Sequence, residues 1–486
     1  MRINRISLIE PMGPSYHVYT GIKLPRLGLP MIGTMLRNMG YEVGIFVEAL
    51  SPIPWDYVLS SDLVGISTLT SSVNAANRIV KLLRSKGIKT VAGGPHFSFA
   101  PQDCKADFIV RGEGEETIVE LIKALEDGGD ISAIKGLSFW VDGELVNNPP
   151  RPFKEDLDSL PIPDLSLIKG HERMKIIPMM TSRGCPFDCE FCGVTLMFGR
   201  KFRCNSVDYV MDMLEMEKKR SGKLGAIFFY DDNFTADVKR SWEICEGMIR
   251  RGLVPARWMA QSRIDIYRHP DLLDLMRRTG CSYLYIGLES VNPMTLKEYN
   301  KRQELEEMIE GIRVIQGKGI RIHGMFVFGS DHDTKEIAEE TVRFAIRNKL
   351  NTFQTMALTP VMGSRLWSRL EEEGRIISYD WDKYDGLHVV IRPKLMSPKE
   401  MQYSIIKATA KFYSIKAGLA LAAKFKFQAA MKRFWGFFLV IQWMRTQLPF
   451  LRWLNFVSHK VESIYGFLRE RELSLKGYPS LQRNRT

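Results

Sequence analysis

Three cysteines that follow a short apolar run constrain this chain more than any other feature of its sequence. Cys185, Cys189 and Cys192 come after Lys175–Ser182, which is typical of a buried strand, so we expect the cysteines on a loop. Three thiolates can bind three irons of a [4Fe–4S] cluster and leave the fourth iron open for another ligand. A zinc site usually needs four ligands in paired C-x-x-C groups, and no second pair follows nearby. Mutual disulfides are disfavoured because the cysteines are too closely spaced.

The spacing of these cysteines resembles that of a known family. The pattern C-x-x-x-C-x-aromatic-C, with Phe191 as the aromatic residue, is similar to the cluster loop of radical S-adenosylmethionine enzymes. The resemblance implies that the open iron binds the amino and carboxylate groups of S-adenosylmethionine, with Phe191 beside this cofactor. It also implies that the cluster, reduced by an external electron donor, cleaves the cofactor to a 5′-deoxyadenosyl radical. A zinc or plain electron-transfer site is the alternative.

Length and composition favour an intracellular protein of two or three domains. The chain has 486 residues, of which 45% are hydrophobic and 26% are charged, as in ordinary globular proteins. Seven cysteines, three of them clustered, fit a reducing compartment and a metal rather than a disulfide framework. Met1–Pro11 lacks a secretory signal, and no continuous apolar stretch is long enough to cross a bilayer. We therefore expect a cytoplasmic protein without a membrane span.

Residues 1–130 alternate strand-like and helix-like runs, which predicts a doubly wound, Rossmann-like parallel sheet. The predicted strands are Arg5–Ile9, Glu42–Val47, Leu63–Ser67, Thr90–Ala92 and Phe108–Val110, and the predicted helices are Leu24–Met39, Val73–Ser85 and Glu115–Leu125. Two turns follow strands at the edge where open α/β sheets bind ligands. One carries Ser67 and Leu69, and the other carries Gly93 and Gly94. Paired glycines let a flat or bulky ligand approach the backbone closely.

This half of the chain resembles the cobalamin-binding domain that precedes the barrel in one branch of the radical enzymes. The resemblance rests on Ser67-x-Leu69, on Gly93-Gly94 and on the run Gly112–Glu115. It implies that the first two pairs of residues hold cobalamin. A flavodoxin-like domain without a cofactor is the alternative.

The cobalt ligand of other cobalamin proteins is missing from this sequence. Their Asp-x-His-x-x-Gly element is absent after the first strand, where Glu10–Pro14 stands instead. The resemblance then implies cobalamin without a protein histidine on cobalt. His17 and His96 stay conceivable ligands, although a lone loop histidine is more often solvated or a cap.

Residues 131–174 are predicted to connect two domains. Leu137–Val141 and Glu144–Val146 flank Asp142-Gly143, a strong signal for a two-residue hairpin turn. Several prolines then mark an extended linker, and the run Leu160–Asp164 resembles the linker of the same branch.

Residues 175–363 contain six further strand-like runs separated by helical ones. The predicted strands are Ile176–Thr181, Ala226–Tyr230, Arg257–Gln261, Tyr283–Gly287, His323–Phe328 and Phe353–Leu358. Six β/α units form an open partial barrel in the resembled family, and polar residues follow the strands at the expected barrel mouth. The resemblance implies S-adenosylmethionine-binding roles for Asp231, Asp232 and Glu289. Arg263 is the expected carboxylate partner, because guanidinium and carboxylate groups form paired hydrogen bonds. A capping or ion-pair role is the alternative for each.

The four cysteines outside the loop carry no motif. We expect Cys245 and Cys281 to be buried as small apolar residues. Cys204 lies shortly after the cysteine loop and is the one to test as a radical or ligand residue.

Residues 364–486 form a separate, basic C-terminal region. Residues 401–461 contain ten Lys or Arg and no Asp or Glu, and residues 462–486 add five basic and three acidic residues, so these two segments carry the whole net charge of +12 and the first 400 residues carry none. The apolar run Phe434–Met444 is too short to span a bilayer, and Pro449, Arg452 and Asn455 break up the sequence that follows it. Basic residues interleaved with tryptophans suit a helix in an anionic membrane interface. A helical cap on the barrel is the equal alternative, and nucleic-acid binding is the weaker third.

Together these features predict a cobalamin-dependent radical S-adenosylmethionine enzyme that modifies an unactivated carbon, most simply by methyl transfer. A lipid or isoprenoid-like substrate and a peripheral position on the inner face of the membrane are the accompanying hypotheses. One alternative is a radical cyclase or another enzyme that forms C–C bonds without methyl transfer, and a second is a non-catalytic sensor. Methylthio transfer to RNA is disfavoured, because only Cys104 stands where a second cysteine cluster is needed.

Overall fold

The computed structural model describes residues 2–13, 23–423 and 425–475. His17, one of the two conceivable cobalt ligands, lies outside these residues. The N-terminal sheet contains strands β1 (Arg5–Glu10), β2 (Glu42–Val47), β3 (Leu63–Ser67), β4 (Lys89–Gly93), β5 (Phe108–Val110), β6 (Leu137–Val141) and β7 (Glu144–Asn147). Its helices are α1 (Gly28–Asn38), α2 (Trp55–Leu59), α3 (Val73–Ser85), α4 (Pro95–Phe99) and α5 (Glu115–Asp127).

The strand order of this sheet is β2-β1-β3-β4-β5-β6-β7. Strands β1 to β5 are parallel, and the hairpin β6–β7 adds two antiparallel strands beside β5. The predicted doubly wound sheet and the Asp142-Gly143 hairpin are confirmed. The pairing of the hairpin with β5 was not predicted, because a turn signal specifies a hairpin but not the strand beside it.

The second sheet is built from six parallel strands in the order β15-β14-β13-β12-β11-β8. They are β8 (Ile176–Met179), β11 (Ala226–Phe229), β12 (Arg257–Ser262), β13 (Cys281–Glu289), β14 (Arg321–Phe328) and β15 (Thr352–Ala357). The short strands β9 (Ser182–Arg183) and β10 (Arg203–Cys204) pair separately, on either side of the cysteine loop. The six predicted β/α units of an open barrel are therefore confirmed.

Helices cover one face of this second sheet. They are α6 (Val194–Phe198), α7 (Val207–Ser221), α8 (Val238–Arg250), α9 (Pro270–Arg278), α10 (Pro293–Glu298), α11 (Leu305–Gly317) and α12 (Ile337–Arg347). The helix-facing side of the sheet is apolar, as Trp258 illustrates: it is fully buried against Phe229 and Phe234. Its indole N–H donates a hydrogen bond to the carbonyl oxygen of Thr279 (2.9 Å).

The C-terminal region contains α13 (Arg365–Glu372), α14 (Pro398–Phe412), α15 (Ile415–Ala422) and α16 (Phe427–Leu475). Helix α14 starts at a capping box, in which Ser397 and Glu400 each accept a backbone hydrogen bond from the other residue. It packs against β15, where the Tyr413 hydroxyl bonds both the N–H and the C=O of Phe353 (2.9 Å each). No helix among these residues is long and apolar enough to cross a membrane.

Helix α16 continues through Pro449. A proline inside a helix removes one backbone hydrogen bond and costs about 3 kcal/mol. Phe450, Leu451 and Leu454 are buried directly after it, and the burial of such side chains stabilises by roughly 1.5–3 kcal/mol each.

Candidate cofactor site at the mouth of the barrel

The cysteine loop begins at a glycine that other residues cannot replace without strain. Gly184 has a φ of +85°, and a Cβ there would lie 2.5 Å from the carbonyl oxygen of Lys201. Strands β9 and β10 fix the two ends of the loop by pairing with each other. The backbone N–H of Cys192 donates to the carbonyl oxygen of Cys189 (3.2 Å), so the last two cysteines share one tight turn.

The three thiols of this loop are partly buried. Burial raises the pKa of each of them, that of Cys192 to about 12. Metal ligation needs the thiolate, which is disfavoured here until positive charge is placed beside the sulfurs. Irons supply that charge, so a donor set of three sulfurs for three irons fits the predicted cluster. Within the described part of the chain, no group of three or more His, Cys, Asp or Glu side chains is arranged to hold an individual metal ion.

The turn after α10 holds the cysteine loop from one side. The backbone N–H of Glu190 donates to the carbonyl oxygen of Tyr299 (3.1 Å), and the Asn300 amide donates to that of Asp188 (2.8 Å). The ring of Phe191 meets that of Tyr299 edge to face at 5.0 Å. Phe191 thus packs on the protein with one side of its ring.

Arg263, directly after β12, lies against the same loop. Its guanidinium stacks on the ring of Phe187 at 3.8 Å and donates to the carbonyl oxygen of Lys301 (2.9 Å) and to the Asp265 carboxylate (3.2 Å). The Nη1 group has no hydrogen-bond partner among the described residues. This nitrogen is the part of Arg263 that is free to meet a ligand.

Asp231 and Asp232 follow β11 and have different surroundings. Asp231 is 1% exposed, and its carboxylate accepts hydrogen bonds from the backbone N–H of Thr181 (2.9 Å) and the hydroxyl of Ser182 (2.5 Å). These bonds tie β11 to the segment that leads into the cysteine loop. The Asp232 side chain makes no hydrogen bond to the described residues. Burial, and to a smaller extent the charge of Asp231, raises the pKa of the Asp232 carboxyl group to about 7. It faces the cysteines, since its charge raises the pKa values of two of them.

Glu289 lies at an irregularity near the end of β13. The pairing with β14 shifts register between Gly287 and Glu289, and Glu289 has a φ of +60°. Its Oε1 pairs with the Lys301 ammonium at 2.7 Å, and both side chains are 9% exposed. A Cβ at residue 287 would overlap the Glu289 carboxylate. The Gly-x-Glu spacing therefore makes room for a buried ion pair, and sequence reasoning missed its cation, Lys301.

Two buried arginines beside the cysteine loop connect it to the N-terminal sheet. Arg183 pairs with Glu113 (3.0 Å) and Glu115 (2.6 Å), and Arg203 pairs with Glu113 (2.9 Å). Burial acts to raise the pKa of Glu113, but Arg203 and Arg183 outweigh it and lower that pKa. These contacts were not foreseen from the sequence, although two glutamates at a helix start and two arginines around the cysteines were the available signal.

The residues predicted to hold cobalamin lie at the carboxyl end of β3 and β4. Leu69 is 45% exposed, and the carbonyl oxygen of Ser67 accepts a hydrogen bond from Arg26 (3.1 Å). Gly94 has a φ of +103°, and a Cβ there would overlap the backbone of Thr68. Gly94 is therefore required by the chain's own packing, whereas the sequence suggested only close approach of a ligand.

His96 is engaged by the protein on both ring nitrogens. Nδ1 lies 3.3 Å from the Thr70 hydroxyl and Nε2 lies 3.0 Å from the Asp103 carboxylate. The ring is 2% exposed and meets Trp381 edge to face at 4.8 Å. His96 thus has no nitrogen available for cobalt in this conformation.

Cys204 lies in β10, where it pairs with Ser182 of β9. Burial raises the pKa of its thiol, although the guanidinium of Arg240 acts in the opposite direction. Cys104, Cys245 and Cys281 are buried.

The face of the second sheet away from the helices, here called the inner face, carries aromatic and methionine side chains. Leu284, Ile322 and Phe353 are buried, and Phe353 stacks on Phe412 of α14 on the helix side. The alternate positions are only partly buried and form the inner face: Tyr283, Tyr285, Met325, Gln354 and Met356. Tyr285 also meets the rings of Phe228 (5.1 Å) and His323 (4.6 Å). Burial lowers the pKa of His323 to about 4, so this ring is neutral at pH 7.

Two family models match the chain. The radical SAM superfamily model covers residues 179–345, and the B12 binding domain model covers residues 18–122. The first contains the cysteine loop, and the second contains the turns of Ser67 to Gly94. The cofactors are accordingly a [4Fe–4S] cluster, S-adenosylmethionine and cobalamin.

Several relatives align over most of the chain. An uncharacterized methyltransferase of Pyrococcus horikoshii is 30% identical over 85% of this chain and 93% of its own. The anaerobic magnesium-protoporphyrin IX monomethyl ester cyclase of Rubrivivax gelatinosus is 30% identical over 85% of this chain and 78% of its own. The hopanoid C-3 methylase of Methylococcus capsulatus is 25% identical over 84% and 81%.

Solved structures share the fold. The radical S-adenosylmethionine methyltransferase TsrM of Kitasatospora setae superposes with a TM-score of 0.64 at 18% identity, covering 76% of this chain and 78% of its own. The cobalamin-dependent enzyme OxsB superposes with a TM-score of 0.70 at 18% identity, covering 93% and 75%. On the evidence of both family models and of relatives aligned almost end to end, the chain belongs to the cobalamin-binding radical S-adenosylmethionine enzymes.

Proposed function

We propose that this enzyme transfers a methyl group to an unactivated carbon of an apolar, isoprenoid-like molecule. The observation that carries the proposal is the inner face of the barrel sheet, whose aromatic and methionine side chains lie below the charged residues of the mouth. When bound, the cluster and S-adenosylmethionine supply the radical that removes a hydrogen atom, and cobalamin supplies the methyl group. The relatives named hopanoid methylases and methyltransferases support this reaction class.

The chain's own residues would hold the cofactors at the mouth. Cys185, Cys189 and Cys192 bind the three irons. Asp232 meets the amino group of S-adenosylmethionine, because its carboxylate has no other described partner, and Asp231 positions the strand end instead. The free Nη1 of Arg263 meets the carboxylate group.

Three other predicted residues complete the cofactor sites. Glu289 would offer S-adenosylmethionine the oxygen that Lys301 does not use, and Phe191 would contact the same cofactor. At the edge of the N-terminal sheet, Leu69 would contact cobalamin, and Ser67 and Gly93 would hold the backbone of the two turns that bind it. Gly94 contributes through the conformation that its positive φ permits.

The test is isotope transfer into apolar metabolites. The reconstituted enzyme is incubated under reducing conditions with S-adenosylmethionine carrying a deuterated methyl group and with a lipid extract from a strain that lacks the protein. We expect 5′-deoxyadenosine and a deuterium-labelled apolar product. A changed apolar product without label would favour the cyclase-type reaction named for the Rubrivivax gelatinosus relative. Absence of both products would contradict the proposal.

We also infer that α16 docks on an anionic membrane surface and brings the enzyme to an apolar substrate. Helix α16 has two faces. Val440, Trp443 and Leu454 are buried on the side of α14. On the other side Phe427, Met431, Trp435 and Phe438 are exposed, by 62% for Trp435 and 68% for Phe438. Their spacing places them on one stripe of the helix.

Basic residues flank this apolar stripe. Lys416, Lys426, Arg445 and Arg452 are exposed, whereas Arg433 is buried over the ring of Phe412. Each exposed cation near an anionic surface contributes on the order of 1 kcal/mol. An aromatic stripe with a cationic border is the pattern of an interfacial helix.

Vesicle co-sedimentation tests this docking in the full chain. Trp435→Glu with Phe438→Glu should release the protein from anionic vesicles, and added salt should weaken wild-type binding. Trp242→Glu is the matched control, because Trp242 is partly exposed on α8, outside the stripe. Equal sedimentation of the double variant and the control, or no dependence on anionic lipid, would contradict the docking.

A further inference from the structure

The turn that follows α10 is strained where it touches the cysteine loop. Asn300 and Arg302 have φ values of +50° and +52°, and Glu289, which faces the same turn, has +60°. The left-handed conformation is unfavourable for residues such as Arg and Glu and persists only when the surrounding structure enforces it. Three such residues around one loop indicate that the position of Lys301, between Asn300 and Arg302, is closely controlled.

Lys301 and Glu289 form a buried pair beside Cys189. The Lys301 ammonium lies 2.7 Å from the Glu289 carboxylate, and each side chain is 9% exposed. Residues just before Lys301 hold the residues on both sides of Cys189: the backbone N–H of Glu190 donates to the carbonyl oxygen of Tyr299 (3.1 Å), and the Asn300 amide donates to that of Asp188 (2.8 Å). Two opposite charges in a buried pair are therefore held against the segment that carries a predicted ligand of the cluster.

We propose that Lys301 and Glu289 set the reduction potential of the iron–sulfur cluster on the cysteine loop. Reduction adds an electron to the cluster, so a nearby cation stabilises the reduced state and a nearby anion destabilises it. The potential of such clusters depends on local charge and solvent exposure, and charges act strongly where water is excluded. Lys301 thus positions the Glu289 carboxylate and also contributes charge. The pair therefore keeps the reduction potential between the values that the cation alone and the anion alone would give.

The inference rests on the proposed binding of the cluster by Cys185, Cys189 and Cys192. The two can fail separately. Retention of iron after loss of the three cysteines would contradict the cluster assignment. A correctly bound cluster whose potential ignores the pair would contradict this inference alone.

The test is a potentiometric titration of the reconstituted cluster, followed by its paramagnetic resonance signal, without S-adenosylmethionine. Lys301→Met should lower the ratio of reduced to oxidised cluster about tenfold at a fixed potential. For a one-electron couple, this corresponds to a fall of about 59 mV in the reduction potential. Glu289→Gln should shift the potential in the opposite direction, and the double variant should return towards wild type. Lys301→Arg keeps the charge and should stay close to wild type. Lys297→Met is the matched control, because Lys297 is exposed on α10.

We expect the reduction potential to shift in opposite directions in the two single variants while the iron content stays unchanged. A pair with a merely structural role would not give this result. Equal shifts, shifts of one sign, or no shift would overturn the inference. If Lys301→Met fails to hold iron, Glu289→Gln decides alone, and no upward shift in that variant overturns the inference as well.

Discussion

The two sheets of this enzyme present their carboxyl edges to cofactors in different ways. At the barrel mouth the candidate residues are charged side chains that other side chains hold in place, such as Asp231 under Ser182 and Glu289 beside Lys301. At the edge of the N-terminal sheet the candidate residues act through the backbone, as Gly94 does against Thr68. The difference teaches that one edge is ordered mainly by interactions between charged side chains and the other mainly by the backbone conformation of its turns.

The two edges are joined through Glu113, and its loss should have the largest effect on stability. Glu113→Ala leaves Arg183 and Arg203 without one buried partner, so we expect a loss of about 3–5 kcal/mol in unfolding free energy. Denaturant unfolding measures it. Glu116→Ala is the control, because Glu116 is about half exposed and pairs with Arg151 and Lys154 at the surface; we expect less than about 1 kcal/mol. Equal effects of the two variants would mean that the edges are not coupled through this carboxylate.

The same ion pairs predict an acid dependence. Although burial opposes the shift, Arg203 and Arg183 hold the folded-state pKa of Glu113 below the ordinary value of a glutamate. Its stabilising contribution is therefore fully present above that value and is lost as the pH falls through the lower folded-state pKa. Stability measured between neutral and acidic pH should fall less steeply in Glu113→Ala than in the wild type, and parallel profiles would contradict the assignment.

Backbone control at the N-terminal edge is tested at the glycine pair. Gly94→Ala places a Cβ against Thr68 at a positive φ, so we expect a loss of about 2 kcal/mol or more in stability. Leu69→Asp changes an exposed side chain and should leave stability nearly unchanged. It should weaken cobalamin binding about tenfold, since contact with one leucine is worth about 1.5 kcal/mol. Calorimetric titration with hydroxocobalamin measures binding, and thermal unfolding measures stability. Destabilisation by Leu69→Asp would contradict the view that Leu69 contributes to ligand contact and not to stability.

Side-chain control at the barrel mouth is tested at the two neighbouring aspartates. Asp231→Asn weakens the hydrogen bonds to Thr181 and Ser182, so we expect about 1–3 kcal/mol of destabilisation. Asp232→Asn should leave stability within about 0.5 kcal/mol of wild type and raise the dissociation constant of S-adenosylmethionine. Unfolding and equilibrium binding measure the two quantities. If Asp231→Asn weakened cofactor binding at unchanged stability, the two roles assigned here would have to be exchanged.

The sequence predicted the sheets well, because strand period and chain order determine which residues meet a carboxyl edge. The positions of Asp232 and Glu289 near strand ends of the barrel sheet were predicted in this way, whereas the cysteines were singled out by their spacing, and the roles of all five residues stay predictions. Partners that lie far apart in the chain were not predicted: Arg203 meets Glu113 across 90 residues. Lys301 carries no motif that would single it out, and its pairing with Glu289 depends on the fold of the turn after α10.

The central claim is that one chain holds an iron–sulfur cluster and cobalamin at separate edges, by different means. The most direct measurement is the iron and cobalamin content of the anaerobically reconstituted wild type, of a variant with Cys185, Cys189 and Cys192 all replaced by Ala, and of Cys204→Ala. We predict about four irons per chain and bound cobalamin in the wild type and in Cys204→Ala. We predict loss of iron with retained cobalamin in the triple variant. Iron retained by the triple variant, or cobalamin lost together with the iron, would contradict the account.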